Sequence, residues 1–188
     1  MPQSFPDETI TVTNMMSCMM NRISAAKAVH LLIGCLLLSP GGAAAGDILT
    51  VKRLNPDLAH ELVMTAVQTC RALGYQVTSV VVGRDGAELA LLRDINASRF
   101  TIQIAREKAN AVILSGIASG AFRDNRRDIQ QEMNHVDGVL VLQGGLPIEA
   151  AGSLLGAIGV SGAPGGEKDE ACAQKALDAV EERLEFAE

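Results

Sequence analysis

The chain has 188 residues, a net charge of −6, and aromatic residues at 3% of the total with no tryptophan. The acidic balance excludes the basic surface that a nucleic-acid binder needs. The scarcity of rings excludes an aromatic stacking platform for bases or sugars.

The N-terminal region sets the compartment. Residues 1–19 fit no targeting architecture, because Asp7 and Glu8 stand where a basic segment belongs, and Met20 reads as the true start of translation. Arg22 and Lys27 then precede a short apolar run at 28–38 (AVHLLIGCLLL), and Ala43-Ala44-Ala45 follows Pro40-Gly41-Gly42. That order is a secretory signal peptide with cleavage after Ala45. The run is shorter than the roughly 20 apolar residues of a membrane span. A lipidation box at Leu32-Ile33-Gly34-Cys35 is the rival reading, but it leaves three leucines stranded behind the modified cysteine. The expected organisation is an extension and cleaved leader over residues 1–45. One domain follows over residues 46–188, periplasmic or secreted, with a length sufficient for a workable core.

Asn55-Pro56 is a helix start, with a capping side chain followed by proline at the first helical position. Leu58, Leu62, Val63, Ala66, Val67 and Cys70 recur at helical spacing, and Gly74 ends the run, so a helix is predicted over 56–73. Residues 75–82 (YQVTSVVV) are β-branched and strand-like. Arg84-Asp85-Gly86 is a hairpin turn, and Glu88 to Arg93 is the return strand. Ile102, Ala105, Ala109 and Val112 share one face of a second helix over 101–114. A polar stretch at 124–133 holds a short helix, and Val139 to Leu142 reads as a third strand. The glycine-rich stretch from Gly144 to Gly162 interleaves glycine with apolar residues, unlike a polar linker. It is read as two further strands, near 147–150 and 155–161, whose backbones pack closely. Glu167, Asp169 and Glu170 open a last helix, favourable for its dipole. Ala173, Ala176, Leu177, Val180 and Leu184 give that helix an apolar face. The predicted fold is α+β, with a five-stranded, mostly antiparallel sheet covered by helices.

Chemistry is sparse. Past the leader the histidines are His60, on the first helix, and His135, in a loop two residues after Met133. A histidine with a nearby methionine suits haem iron or copper, and His135 is the candidate metal ligand. A solvated loop histidine is the plainer reading. Cys70 and Cys172 sit on apolar helix faces, and separate buried thiols are favoured over a disulfide. The Cys and His residues have no zinc spacing. Gly159-Val160-Ser161-Gly162 is not a nucleophile elbow, and neither Gly144-Gly145 nor Gly165-Gly166 fits a phosphate loop. Arg93, Arg99, Arg106 and Lys108 cluster around the second strand and second helix. They form either a carboxylate-binding group, suited to propionates, or a solvated basic face.

Several segments carry a resemblance. They are Val80 to Gly86 with Leu91 to Asp94, Ala105-Arg106-Glu107-Lys108-Ala109, Gly144-Gly145-Leu146-Pro147-Ile148, Gly156 to Gly162, and Asp169 with Ala171-Cys172-Ala173. In this order, from about Leu58 to Val180, the chain resembles the GlcG/HbpS-like haem-binding family. The resemblance implies a profilin-like α+β fold, homo-oligomers, and haem or a related tetrapyrrole as ligand of exported members. It places His135 where relatives often carry a histidine, and so implies it as axial ligand. Met133, Arg93, Arg106 and Lys108 are the other candidate cofactor-binding residues. One departure is Gly83, where the family commonly has an acid before the turn. Three functions remain open: an exported haem-binding protein for storage, delivery or redox sensing; an enzyme degrading haem or acting on a small carboxylate; and a cofactor-free interaction module. A binding role is expected over an enzymatic one.

Overall fold

The computed structural model describes residues 51–186. The expected leader and the alternative start at Met20 lie outside these residues. The elements run α1 (Pro56–Ala72), β1 (Thr78–Gly83), β2 (Glu88–Arg93), α2 (Phe100–Ser115), α3 (Ser119–Asn125), α4 (Gln130–Met133), β3 (Gly145–Ala150), β4 (Ser153–Ser161), α5 (Gly166–Asp178) and α6 (Glu181–Glu185).

Local chemistry sets the boundaries. The Asn55 side chain accepts the Asp57 amide at 2.9 Å, capping α1 where Pro56 needs no partner. In the β1–β2 turn the Asp85 carboxylate accepts the Ala87 amide at 3.1 Å, and Gly86 takes φ +77°. Gly116, at φ +74°, closes α2 by donating its amide to the Val112 carbonyl at 2.7 Å.

The sheet is antiparallel, in the order β2-β1-β4-β3. Strand alternation sends Val77, Val81, Leu146, Ile148, Ile158 and Val160 into one core with α1 and α5. Val80, Val82 and Ala157 face the other way, against Ala105, Ala109 and Val112 of α2. Each valine or isoleucine so buried contributes roughly 1.5–3 kcal/mol.

The glycine-rich stretch supplies β3 and β4, as expected, and explains how α2 lies so close. Gly145 and Gly159 are register partners on the α2 face. A Cβ on Gly145 would stand 2.5 Å from the Lys108 carbonyl oxygen, and one on Gly159 would collide with that of Ala105. Two bare backbones side by side let the helix rest directly on the strands.

Two expectations are corrected. The described residues form four strands, not five. Val139 to Leu142 is an irregular segment: the Leu140 amide donates to Glu107 of α2 at 3.2 Å, and the Val141 amide to the Asn134 side chain at 2.9 Å. Only Val141 of this run is buried, and a backbone anchored to α2 and Asn134 joins no ladder. Secondly, Cys70 and Cys172 form a disulfide with Cα atoms 5.6 Å apart, tying α1 to α5 within the core. The helical spacing placed both sulfurs on apolar faces, and the packing of those two helices brings the faces together.

Candidate functional site

His135 is exposed, in the turn after α4, and Met133 is half-buried at the end of that helix. The loop that carries them is pinned. Its backbone turns on itself through His135 N–H to Glu132 O at 3.0 Å and Val136 N–H to Met133 O at 3.1 Å. The Asn134 side chain accepts from Val141, and the Asn110 side chain on α2 donates to the Gly138 carbonyl at 2.9 Å. Gly138 adopts φ +80°, which its lack of a side chain permits.

Asn110 is the hub of this end of the molecule. A Cβ on Gly138 would lie 3.7 Å from its Nδ2, and one on Gly86 at the β1–β2 turn 3.6 Å from its Oδ1. The hairpin tip, α2 and the His135 loop therefore converge on one side chain. The Asn110 Oδ1 is buried without a hydrogen-bond partner. Sequence reasoning missed both Asn110 and Asn134, since an asparagine in a helix or loop carries no signal of its long-range partner.

Exposed apolar residues occur on α2, on the segment after it and on the loop. Leu114, Ile117, Val136 and Leu142 are 38–53% exposed. Glu107, Asn110 and Leu114 lie at three- and four-residue spacing on one face of α2, the face to which the loop is tied.

The expected basic cluster is not brought together. Arg106 donates through Nε and Nη2 to Glu88 Oε2, at 2.9 and 2.7 Å. Arg93, at the other end of β2, donates to the Ala97 carbonyl. Arg99 stacks over Phe100, 4.3 Å from the ring centroid. Lys108 is only 3% exposed. Two residues apart on a helix, Arg106 and Lys108 point to opposite sides, so they form no common face. Of the proposed cations, Arg106 is the one placed one helical turn from Asn110. His60 is exposed on α1, as expected.

The Lys108 ammonium instead reaches past the end of β4. It donates to the Val160 carbonyl at 3.0 Å and to Asp169 Oδ2 at 2.8 Å, and Asp169 Oδ1 accepts the Ala163 amide at 2.9 Å. Burial pushes the Asp169 carboxyl up, and Lys108 pulls against that shift. Helix α5 carries Asp169 on the opposite side of the sheet from α2, so this ion pair bolts the two helical layers together. In the sequence this acid reads as an N-terminal helix charge and as part of the family resemblance, with no partner assigned. Among the described residues no three His, Cys, Asp or Glu side chains gather into a metal-binding group. No described helix is long and apolar enough to cross a membrane.

Comparison with known proteins completes the picture. No curated protein matches. The crystal structure of HbpS superposes with a TM-score of 0.68 at 28% identity, covering 73% of this chain and 98% of that one. A crystal structure of PduOC in complex with heme gives a TM-score of 0.60 at 25% identity, over 68% and 95% of the two chains. Klebsiella pneumoniae ORFY shares the fold, with a TM-score of 0.67 at 21% identity over 72% of this chain and 96% of that one. The family model described as haem degrading protein HbpS-like matches residues 54–178, and the chain belongs to the HbpS-like family.

Proposed function

We propose that this chain is an exported haem-binding protein, serving haem storage, delivery or redox sensing. The observation that carries the reading is an exposed imidazole, His135, on a loop pinned to α2, with exposed Val136 beside it and exposed Leu114 one helical turn beyond Asn110. A porphyrin needs that combination of an accessible nitrogen ligand and an apolar platform. His135 would hold the iron, half-buried Met133 would pack behind it, and Arg106 would exchange Glu88 for a propionate. Lys108 has its ammonium engaged by Asp169, and Arg93 lies at the far end of β2, so neither is assigned to the group. Bound haem would supply the redox and ligand-binding chemistry of its iron. The likeness to PduOC in its heme complex supports the same ligand class.

Export is part of the proposal. The leader at residues 20–45 suggests it, and the buried Cys70–Cys172 disulfide suits an oxidising compartment. The protein is also proposed to associate with copies of itself. Its β2 edge is followed by Ile95 and Phe100, which are 82% and 60% exposed.

Titration of the purified protein with haemin, followed at the Soret band, tests the reading. Saturation at one haem per chain is expected, and the absence of stoichiometric binding overturns it. Size-exclusion chromatography in the same buffer reads the assembly, and N-terminal sequencing of the exported protein reads the cleavage site, expected before Gly46.

A further inference from the structure

Segment 51–54 and the β1–β2 hairpin enclose a cleft of about 370 Å³. Leu54, Leu89 and Leu155 line it with apolar surface, and Lys52, Arg53, Arg84 and Asp85 contribute the charges. Among the described lining residues Arg53 and Arg84 flank the Asp85 carboxylate, on a chain whose net charge is −6. Asp85 is already engaged: Oδ1 accepts the Ala87 amide, and Oδ2 lies 3.5 Å from Arg53 Nη1. Arg84 sits exposed on the turn and has no ion-pair partner among the described residues.

We propose that this cleft binds a small amphipathic monocarboxylate, with its chain on Leu54, Leu89 and Leu155 and its carboxylate on Arg84. The volume falls in the range of small-molecule sites, which are mostly apolar with a few placed polar groups. A guanidinium presents the planar fork that matches a carboxylate. Among the described residues that line the cleft there is no histidine, methionine, cysteine or tyrosine, so they offer no iron ligand.

Calorimetric titration of the protein, expressed from the full chain, with decanoate below its micelle concentration tests this. One saturable site is expected. Arg84→Glu should weaken it at least tenfold, about the worth of a charge-assisted hydrogen bond. Arg84 is exposed on a turn, so an unchanged circular dichroism spectrum is expected of that variant and checks its folding. Decanol and decylammonium should each bind at least tenfold more weakly than decanoate. The proposal is overturned if decanoate shows no saturable binding, if Arg84→Glu leaves its affinity unchanged, or if decanol or decylammonium binds as tightly. The Soret titration of Arg84→Glu is expected to match that of the unmodified chain, so a failure at this cleft and a failure of haem binding are read separately.

Discussion

Lys108 Nζ lies 2.8 Å from Asp169 Oδ2, and each side chain is 4% exposed. The pair joins α2 to α5 across the end of the sheet, so its loss is felt by both layers. Lys108→Ala strands a buried carboxylate and is expected to cost about 3–5 kcal/mol in urea unfolding. Lys108→Met combined with Asp169→Leu should cost much less than the sum of the two single changes, since it leaves no unpaired charge.

Gly144 makes that pair possible. At φ +123° a Cβ there would stand 2.8 Å from Lys108 Nζ and 2.9 Å from the Val160 carbonyl oxygen. Gly152, in the β3–β4 turn at φ +72°, would meet nothing within 4 Å. Gly152→Ala should therefore cost only the left-handed backbone strain, about 1–2 kcal/mol. Gly144→Ala adds a collision with buried groups and should cost clearly more. Equal losses in thermal or denaturant unfolding would contradict this difference.

Asp94 and Arg71 make stability depend on pH. The Asp94 side chain, 2% exposed, accepts Arg71 Nε at 2.9 Å, clamping the end of β2 to the last turn of α1. The Arg71 hydrogen bond holds the Asp94 carboxyl below its ordinary range. A depressed folded value means the stabilisation is fully present above the unfolded carboxylate value near 4. It is then lost as pH falls through the lower folded value. Arg71→Met should flatten this acid limb in a series of unfolding midpoints from pH 7 downwards, and an unchanged limb would show that other carboxylates set it.

Helices α1 and α2 and the β1–β2 hairpin are legible from the sequence because their signals are local. Asn55-Pro56, Gly74 and Asp85-Gly86 mark the boundaries, and the apolar spacing between them marks the faces. The four residues Val139 to Leu142 mislead, since a short apolar run reads alike whether it joins a sheet or lies against a helix. The candidate site is read from the sequence at His135 and Met133 as chemistry alone, without its geometry. What fixes that loop is Asn110, Asn134 and Gly138, whose partners lie up to 28 residues away. The basic cluster misleads for a related reason: Arg106 and Lys108 are close in sequence yet point to opposite sides of α2. Asp169 hides its role because a carboxylate in a first helical turn already has a sufficient local explanation in the dipole.

The Cys70–Cys172 bond joins residues 102 apart in sequence. Constraining so long a loop in the unfolded chain is worth about 4–5 kcal/mol in the chain-entropy model, and removal of a native bond typically costs about 2–5. Cys70→Ala with Cys172→Ala should therefore lower the thermal midpoint markedly, and a reductant should reproduce the loss in the unmodified protein. Coincident melting curves with and without reductant would contradict a structural bond.

The haem reading stands or falls at His135. His135→Ala and, as a control on the same chain, His60→Ala are to be titrated with haemin side by side. Loss or displacement of the Soret band in the His135 variant alone is the expected result. A spectrum and stoichiometry in His135→Ala identical to those of the unmodified protein would contradict the assignment.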